Sequence, residues 1–139
     1  MGDVRKAFVR NAKDKSQGTR FPLGSAFTCA TCGFAHAFKT QRNMKIHLAV
    51  AIVAVILGAV LGIDALGWAA IAICIALVFA AECMNTALEA IVDLASPEYS
   101  ELAKHAKDCA AGAVLVSAVG SVVVALFVYI PPLAAWAGL

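Results

Sequence analysis

The side chains best placed to do chemistry lie in one segment, AAECMNTALEAIVDL, residues 80–94. They are Glu82, Asn85, Glu89 and Asp93. At about 100° per residue these four positions fall within an arc of about 80° on one face of a helix. Everything around them is apolar, and an ionised carboxylate buried in a bilayer costs at least about 2–3 kcal/mol on insertion scales. Hydrogen bonding between spans would account for Asn85 alone. It is a poor account of three acids and an amide on one stripe. The stripe reads as a functional site that reaches from a membrane surface into the lipid.

The next segment, SPEYSELAKHAKDCAAGAV, residues 96–114, supplies groups of the opposite kind. Glu98, Tyr99, Lys104, His105, Lys107 and Asp108 follow directly on the end of the stripe. Carboxylates at an interface suit Mg²⁺, which takes one or two of them together with phosphate oxygens and water. A nearby lysine can neutralise a phosphoryl group in transfer. The small residues Ala110, Ala111, Gly112 and Ala113 would let another helix come close. A metal-nucleotide site fits these residues, and so does an ion or proton pathway; spacing alone does not separate the two. No Gly-Lys-Ser/Thr phosphate loop and no glycine-rich kinase loop is present.

The elements that must position these residues follow from composition. The chain has 139 residues, of which 62% are hydrophobic and 14% charged. An average soluble domain carries about 25% charged residues. A soluble chain this small could not cover its surface with so few polar groups, so the expected fold class is an all-α membrane protein. Apolar stretches at Leu48–Ile63, Trp68–Leu94 and Cys109–Ile130 predict three transmembrane helices, the last stopped by Pro131-Pro132. Backbone groups in lipid must be satisfied internally, which dictates helices. Before them, Phe27, Phe34, Ala37, Phe38 and Met44 suit one face of an amphipathic surface helix spanning Ser25–His47. On its other faces Lys39, Arg42 and Lys45 can reach headgroups. Residues 1–24 read as a polar, basic arm, 25–132 as the membrane domain and 133–139 as a short tail.

Nine of the 11 Lys and Arg residues precede Leu48, at positions 5, 6, 10, 13, 15, 20, 39, 42 and 45; Lys104 and Lys107 are the others. The loop around Asp64 has none. This distribution predicts a cytoplasmic N-terminus and second loop, with the C-terminus outside. Basic residues are not interleaved with aromatics, so no nucleic-acid partner is expected.

The residues also match a pattern. Glu82-Cys83-Met84-Asn85-Thr86-Ala87-Leu88-Glu89-Ala90-Ile91-Val92-Asp93, Pro97-Glu98-Tyr99, and Ala103-Lys104-His105-Ala106-Lys107-Asp108 resemble the signature of the prokaryotic diacylglycerol kinases. That family includes the undecaprenol kinases of Gram-positive bacteria. Phe38 to His47 resembles the segment before the first span in the undecaprenol-type version. The resemblance covers about residues 25–130. It implies ATP- and Mg²⁺-dependent phosphorylation of a membrane lipid alcohol, undecaprenol or diacylglycerol, in a bacterial plasma membrane. It implies a homotrimer with sites between protomers. Carried over by motif, Glu82 is the general base and Glu89 the Mg²⁺ ligand on the ATP side. Asn85 and Asp93 support the site. Asp93, Glu98, Tyr99, Lys107 and Asp108 join Glu89 in binding ATP, and Arg42, Asn43 and Lys45 belong to the substrate side. Undecaprenol is favoured by the Asn43-Met44-Lys45-Ile46-His47 version of the surface segment.

Two positions depart from that pattern. Gln41 stands where the family usually has Glu as a second metal ligand, offering a carbonyl oxygen without charge. Ser100 stands where His is common. The Gln41 change motivates a rival reading, a catalytically inactive or lipid-binding relative. A small ion transporter is the other rival, weakened by the lack of an internal repeat. Cys29, Cys32 and His36 share a helix face and could offer three zinc ligands, but packing is the commoner role of such cysteines. His47 reads as an interfacial histidine satisfied locally, or as a headgroup contact. Trp68 and Trp136 read as interface anchors, and Gly58 with Gly62 as a small-residue helix contact.

Overall fold

The computed structural model describes residues 23–138. Four helices occur among them: α1 (Leu23–Thr40), α2 (Arg42–Leu61), α3 (Ala65–Ala95) and α4 (Glu101–Trp136). No strand is present among the described residues. The chain divides into two compact units, one ending at His36 and the other running from Ala37 to Leu139. In the first, the described stretch is helical from Leu23, and the Thr28 and Thr31 hydroxyls donate back to the Gly24 and Phe27 carbonyls at 3.0 and 3.1 Å. Residues 1–22 of the predicted basic arm lie outside the described residues.

The second unit contains three helices long and apolar enough to cross a membrane, of 20, 31 and 36 residues. At 1.5 Å per residue they measure about 30, 46 and 54 Å, against a hydrocarbon core of about 30 Å. The first therefore matches the bilayer, while α3 and α4 overshoot it. Short turns join them, which makes chain neighbours antiparallel. Gly62 ends α2 in the left-handed conformation, φ 64°, where a side chain would be strained. Asp64 then caps α3 by accepting from the Gly67 amide at 2.7 Å. Ser96 to Ser100 make the second turn, with Ser100 as the cap of α4.

The two glycines read together as one helix contact do different work. A Cβ at Gly58 would lie 3.0 Å from Ile63 Cδ1 and 3.2 Å from the Trp68 ring, so this glycine lets the start of α3 close on α2. A Cβ at Gly62 would meet nothing within 4 Å; its role is the turn. Trp68 accordingly packs on Gly58, while Trp136 is exposed at the end of α4.

Three expected boundaries move, one of them the start of the third span, where α4 begins at Glu101 and not at Cys109. The amphipathic helix and first span divide at Gln41, which is extended (φ −95°, ψ 124°), so Arg42 to His47 form the first turns of α2. Met44 thereby leaves the face it was expected to share with Phe27 and Phe34 and is fully buried in the second unit. The helix also does not stop at Pro131-Pro132 but continues to Trp136. Proline's fixed φ is itself helical; what it removes is an amide donor. The carbonyls of Phe127 and Val128 lose those donors, within the last three turns of α4.

α3 is the central element. It packs along α4 more extensively than α2 packs on either. Tyr129 of α4 donates to the Ala54 carbonyl of α2 at 2.8 Å, tying the third pair. Most apolar side chains on all three spans remain exposed, including Val53, Ile73, Val116 and Phe127, as expected of surfaces that meet lipid or another protein chain.

Candidate active site

Of the stripe predicted on α3, Glu82 and Glu89 meet the α2 segment, while Asp93 meets Lys107 of α4. Glu82 lies 17 residues beyond the start of α3, about 26 Å along its axis. It is 1% exposed and is, with Met44, the most completely buried large side chain described. Its Oε1 lies 3.1 Å from Nε2 of His47. Further along, Glu89 receives two amide donors: Gln41 Nε2 on Oε2 and Asn85 Nδ2 on Oε1, both at 3.1 Å. These are successive rungs of one antiparallel pairing. His47 stands six residues after Gln41 on α2, and Glu82 seven before Glu89 on α3.

Local sequence explains why α2 supplies the donors. Gln41, Met44 and His47 recur every three residues and turn inward, whereas Arg42, Asn43, Lys45 and Ile46 are exposed. Glutamine is a poor helix cap, and Gln41, although at the cap position of α2, makes no side-chain cap bond. Its amide is spent on Glu89 instead. Thr86, one turn from Glu82, satisfies its buried hydroxyl on the Glu82 carbonyl at 2.9 Å.

Asn85 is 7% exposed, and its Oδ1 is the single buried side-chain polar atom left without a partner among the described residues. An amide oxygen stranded beside a carboxylate is a natural partner for a cation, and unsatisfied buried polar groups are rare enough to call for a cause. Glu89 Oε atoms, Asn85 Oδ1 and the Gln41 carbonyl are hard oxygen donors of the kind Mg²⁺ prefers. Among the described residues no three His, Cys, Asp or Glu side chains converge as a metal site, Cys29, Cys32 and His36 included. The donor set at Glu89 thus fits an ion that completes its shell with phosphate oxygens and water.

The remaining predicted residues sit at the hairpin end of α3 and α4. Lys107 is paired with Asp93 across the hairpin. Lys104 holds Asp108 at 3.0 Å within one helix face, in the open. Tyr99, 77% exposed, donates to Glu101 Oε1 at 2.6 Å, and that carboxylate pushes its phenol above the usual tyrosine range. Glu98 is exposed in the same turn. The structure therefore gathers Gln41, Asn85 and Glu89 into one cluster, pairs Glu82 with His47, and joins Asp93 to Lys107. Arg42, Asn43 and Lys45 are exposed and bond to neither Glu82 nor Glu89.

A polar cluster of this composition, on a three-span hairpin of this kind, can be compared with known proteins. The profile of the prokaryotic diacylglycerol kinases matches residues 28–129. The chain belongs to the prokaryotic diacylglycerol kinase family. Within it, the chain is 43% identical over 109 residues to a diacylglycerol kinase of Synechocystis sp., covering 78% of this chain and 62% of that protein. It is 38% identical over 108 residues to an undecaprenol kinase of Bacillus subtilis, covering 78% of this chain and 88% of the relative. A diacylglycerol kinase of Sinorhizobium sp. is 40% identical over 89 residues, 63% of its length. The chain thus spans somewhat less than two thirds of the two diacylglycerol kinases and most of the undecaprenol kinase.

His47 is the site residue that reading the sequence missed. Its type and place at the start of a span suggested the interface. The signal that could have found it is its distance from the turn at 62–64: in an antiparallel pair, residues similarly far from the turn face each other, which sets His47 opposite Glu82.

Proposed function

We propose that the chain is a lipid kinase of the bacterial plasma membrane, transferring the γ-phosphoryl group of ATP to the hydroxyl of undecaprenol or diacylglycerol. The observation that carries this reading is a fully buried carboxylate, Glu82, inside a helix long and apolar enough to cross a membrane, in line on one helix face with a second carboxylate, Glu89, seven residues nearer the helix end. One acid can meet a hydroxyl in the membrane while the other meets phosphate at its edge.

In this reading Glu82 takes the proton of the lipid hydroxyl as its oxygen attacks the γ-phosphorus. The bond from phosphorus to the bridging oxygen breaks, and its electron pair leaves with ADP. A carboxylate surrounded by low dielectric suits general-base work. Glu89, Asn85 and Gln41 would hold Mg²⁺. Bound there, the ion would neutralise charge on the transferring phosphoryl oxygens. Amide donors from Gln41 and Asn85 fix the Glu89 carboxylate on both sides, so little reorganisation is required of it. The hairpin end, with Asp93, Glu98, Tyr99, Lys107 and Asp108, would meet the nucleotide, and that end and the N-terminus would then lie in the cytoplasm and the C-terminus outside. Arg42, Asn43 and Lys45 would face headgroups. A homotrimer would complete the sites, as the family resemblance implies.

The test is phosphoryl transfer from labelled ATP with Mg²⁺ to undecaprenol and diacylglycerol, offered in parallel to the purified protein. Labelled lipid is expected, and the preferred acceptor identifies the substrate. Glu82→Gln, folded as judged by circular dichroism, is expected to lose about 10²–10⁴-fold in turnover. Unchanged turnover in that variant removes Glu82 as the base. No label on either lipid from a folded wild-type sample favours the inactive relative that Gln41 suggests.

A further inference from the structure

We infer that His47 is a positioning residue for the Glu82 carboxylate, holding it through Nε2 so that Oε2 is presented to the acceptor hydroxyl. The inference rests on the lipid-kinase reading and extends it to a residue to which the family resemblance assigned no role.

Three observations support the assignment. First, the contact is short, 3.1 Å, and it is made to a carboxylate that is 1% exposed. With the carboxylate ionised, as a base must be, Nε2–H is the donor, and a hydrogen bond to a charged acceptor is among the stronger ones. Secondly, the contact engages one carboxylate oxygen, Oε1, and not both. Thirdly, the pairing repeats. At both rungs of the α2–α3 pairing, a nitrogen-bearing side chain meets an acid of α3: Gln41 on Glu89 and His47 on Glu82. No Lys or Arg of α2 takes either place. Were His47 a headgroup contact, it would point outward with Arg42 and Lys45; its side chain is only 20% exposed.

Loss of the anchor leaves Glu82 free to rotate about its side-chain bonds, and misplacement of a reacting group by about 1 Å can cost about 10²-fold. The experiment measures steady-state kinetics of the purified full chain with undecaprenol or diacylglycerol, whichever the wild type phosphorylates, for wild type, His47→Ala and His47→Gln. Thermal unfolding in the same detergent is recorded for each. His47→Ala is expected to lower kcat by about 10- to 100-fold with KM for lipid and ATP within about threefold of wild type. His47→Gln, whose amide can donate as Gln41 does, is expected to recover kcat to within a few-fold. A raised lipid KM with unchanged kcat would overturn the assignment in favour of headgroup binding. Equal losses in Ala and Gln variants that track a lowered unfolding temperature would overturn it in favour of a purely structural contact. If the wild type itself labels no lipid, the kinase reading falls and the assignment with it. An active wild type with fully active His47→Ala defeats the assignment alone.

Discussion

Glu89 accepts from two amides, and that arrangement decides what the glutamine at position 41 does. In the ion-free site Gln41 neutralises nothing, but it stabilises the carboxylate by donating to Oε2. Glu in its place would set two carboxylates against each other, and like charges at this distance repel unless a cation lies between them. Gln41→Glu is therefore expected to lower the Mg²⁺ concentration for half-maximal transfer by roughly tenfold, about 1.4 kcal/mol. It is also expected to unfold at lower temperature than wild type without Mg²⁺ and to gain more from adding it. A Mg²⁺ titration of activity and melting checks both, and an unchanged titration would remove Gln41 from the metal site. Asn85→Ala removes both a donor to Glu89 and the stranded Oδ1, so its half-saturating Mg²⁺ concentration is expected to rise. The acids of this site were legible as residues because carboxylates in an apolar run are conspicuous. His47 was not, because a histidine beside basic residues at a span end has an ordinary explanation, and its partner is 35 residues away.

At the scale of the helices, close approach and cross-span hydrogen bonding hold α2 in register. Gly58→Ala puts a Cβ within 3.0 Å of Ile63 and 3.2 Å of the Trp68 ring. Overpacking of this kind costs typically about 1–3 kcal/mol. The variant is expected to be destabilised by that amount in reversible unfolding, and activity should fall with it, since the same register sets Gln41 on Glu89. Gly120→Ala, with nothing within 4 Å, is the control expected to be neutral or mildly stabilising. Tyr129→Phe deletes the bond to the Ala54 carbonyl, and interhelical hydrogen bonds in bilayers average about 0.6 kcal/mol. A loss well above about 1.7 kcal/mol would mean that the tyrosine does more than tie α4 to α2. Helix existence was readable from apolar runs; helix ends were less so. Gln41 divides what one continuous amphipathic pattern suggested, because its side chain is used on α3. The two prolines leave α4 helical to Trp136, because what they remove is donors and not the helical φ.

Across the three spans taken together, most of the exposed surface is apolar, while Gln41 and His47 meet Glu89 and Glu82 between α2 and α3. The proposed topology predicts that maleimide added to intact cells labels an engineered cysteine at the C-terminal end of α4 and spares one in the Ser96–Ser100 turn. The opposite pattern would put the Glu89 end outside, away from ATP, and defeat the kinase mechanism. The proposed homotrimer predicts a three-chain limit on crosslinking in native membranes. By itself the sequence determined the three spans, the acid stripe and the family, since hydrophobic length, helical period and a contiguous motif are properties of neighbouring residues. Tertiary structure alone decided what faces the stripe. The turn at Gly62–Asp64 and the packing at Gly58 fix the register of α2 on α3, and that register brings Gln41 to Glu89 and His47 to Glu82. Such contacts depend on distances through space between residues far apart in the chain, which no local pattern encodes.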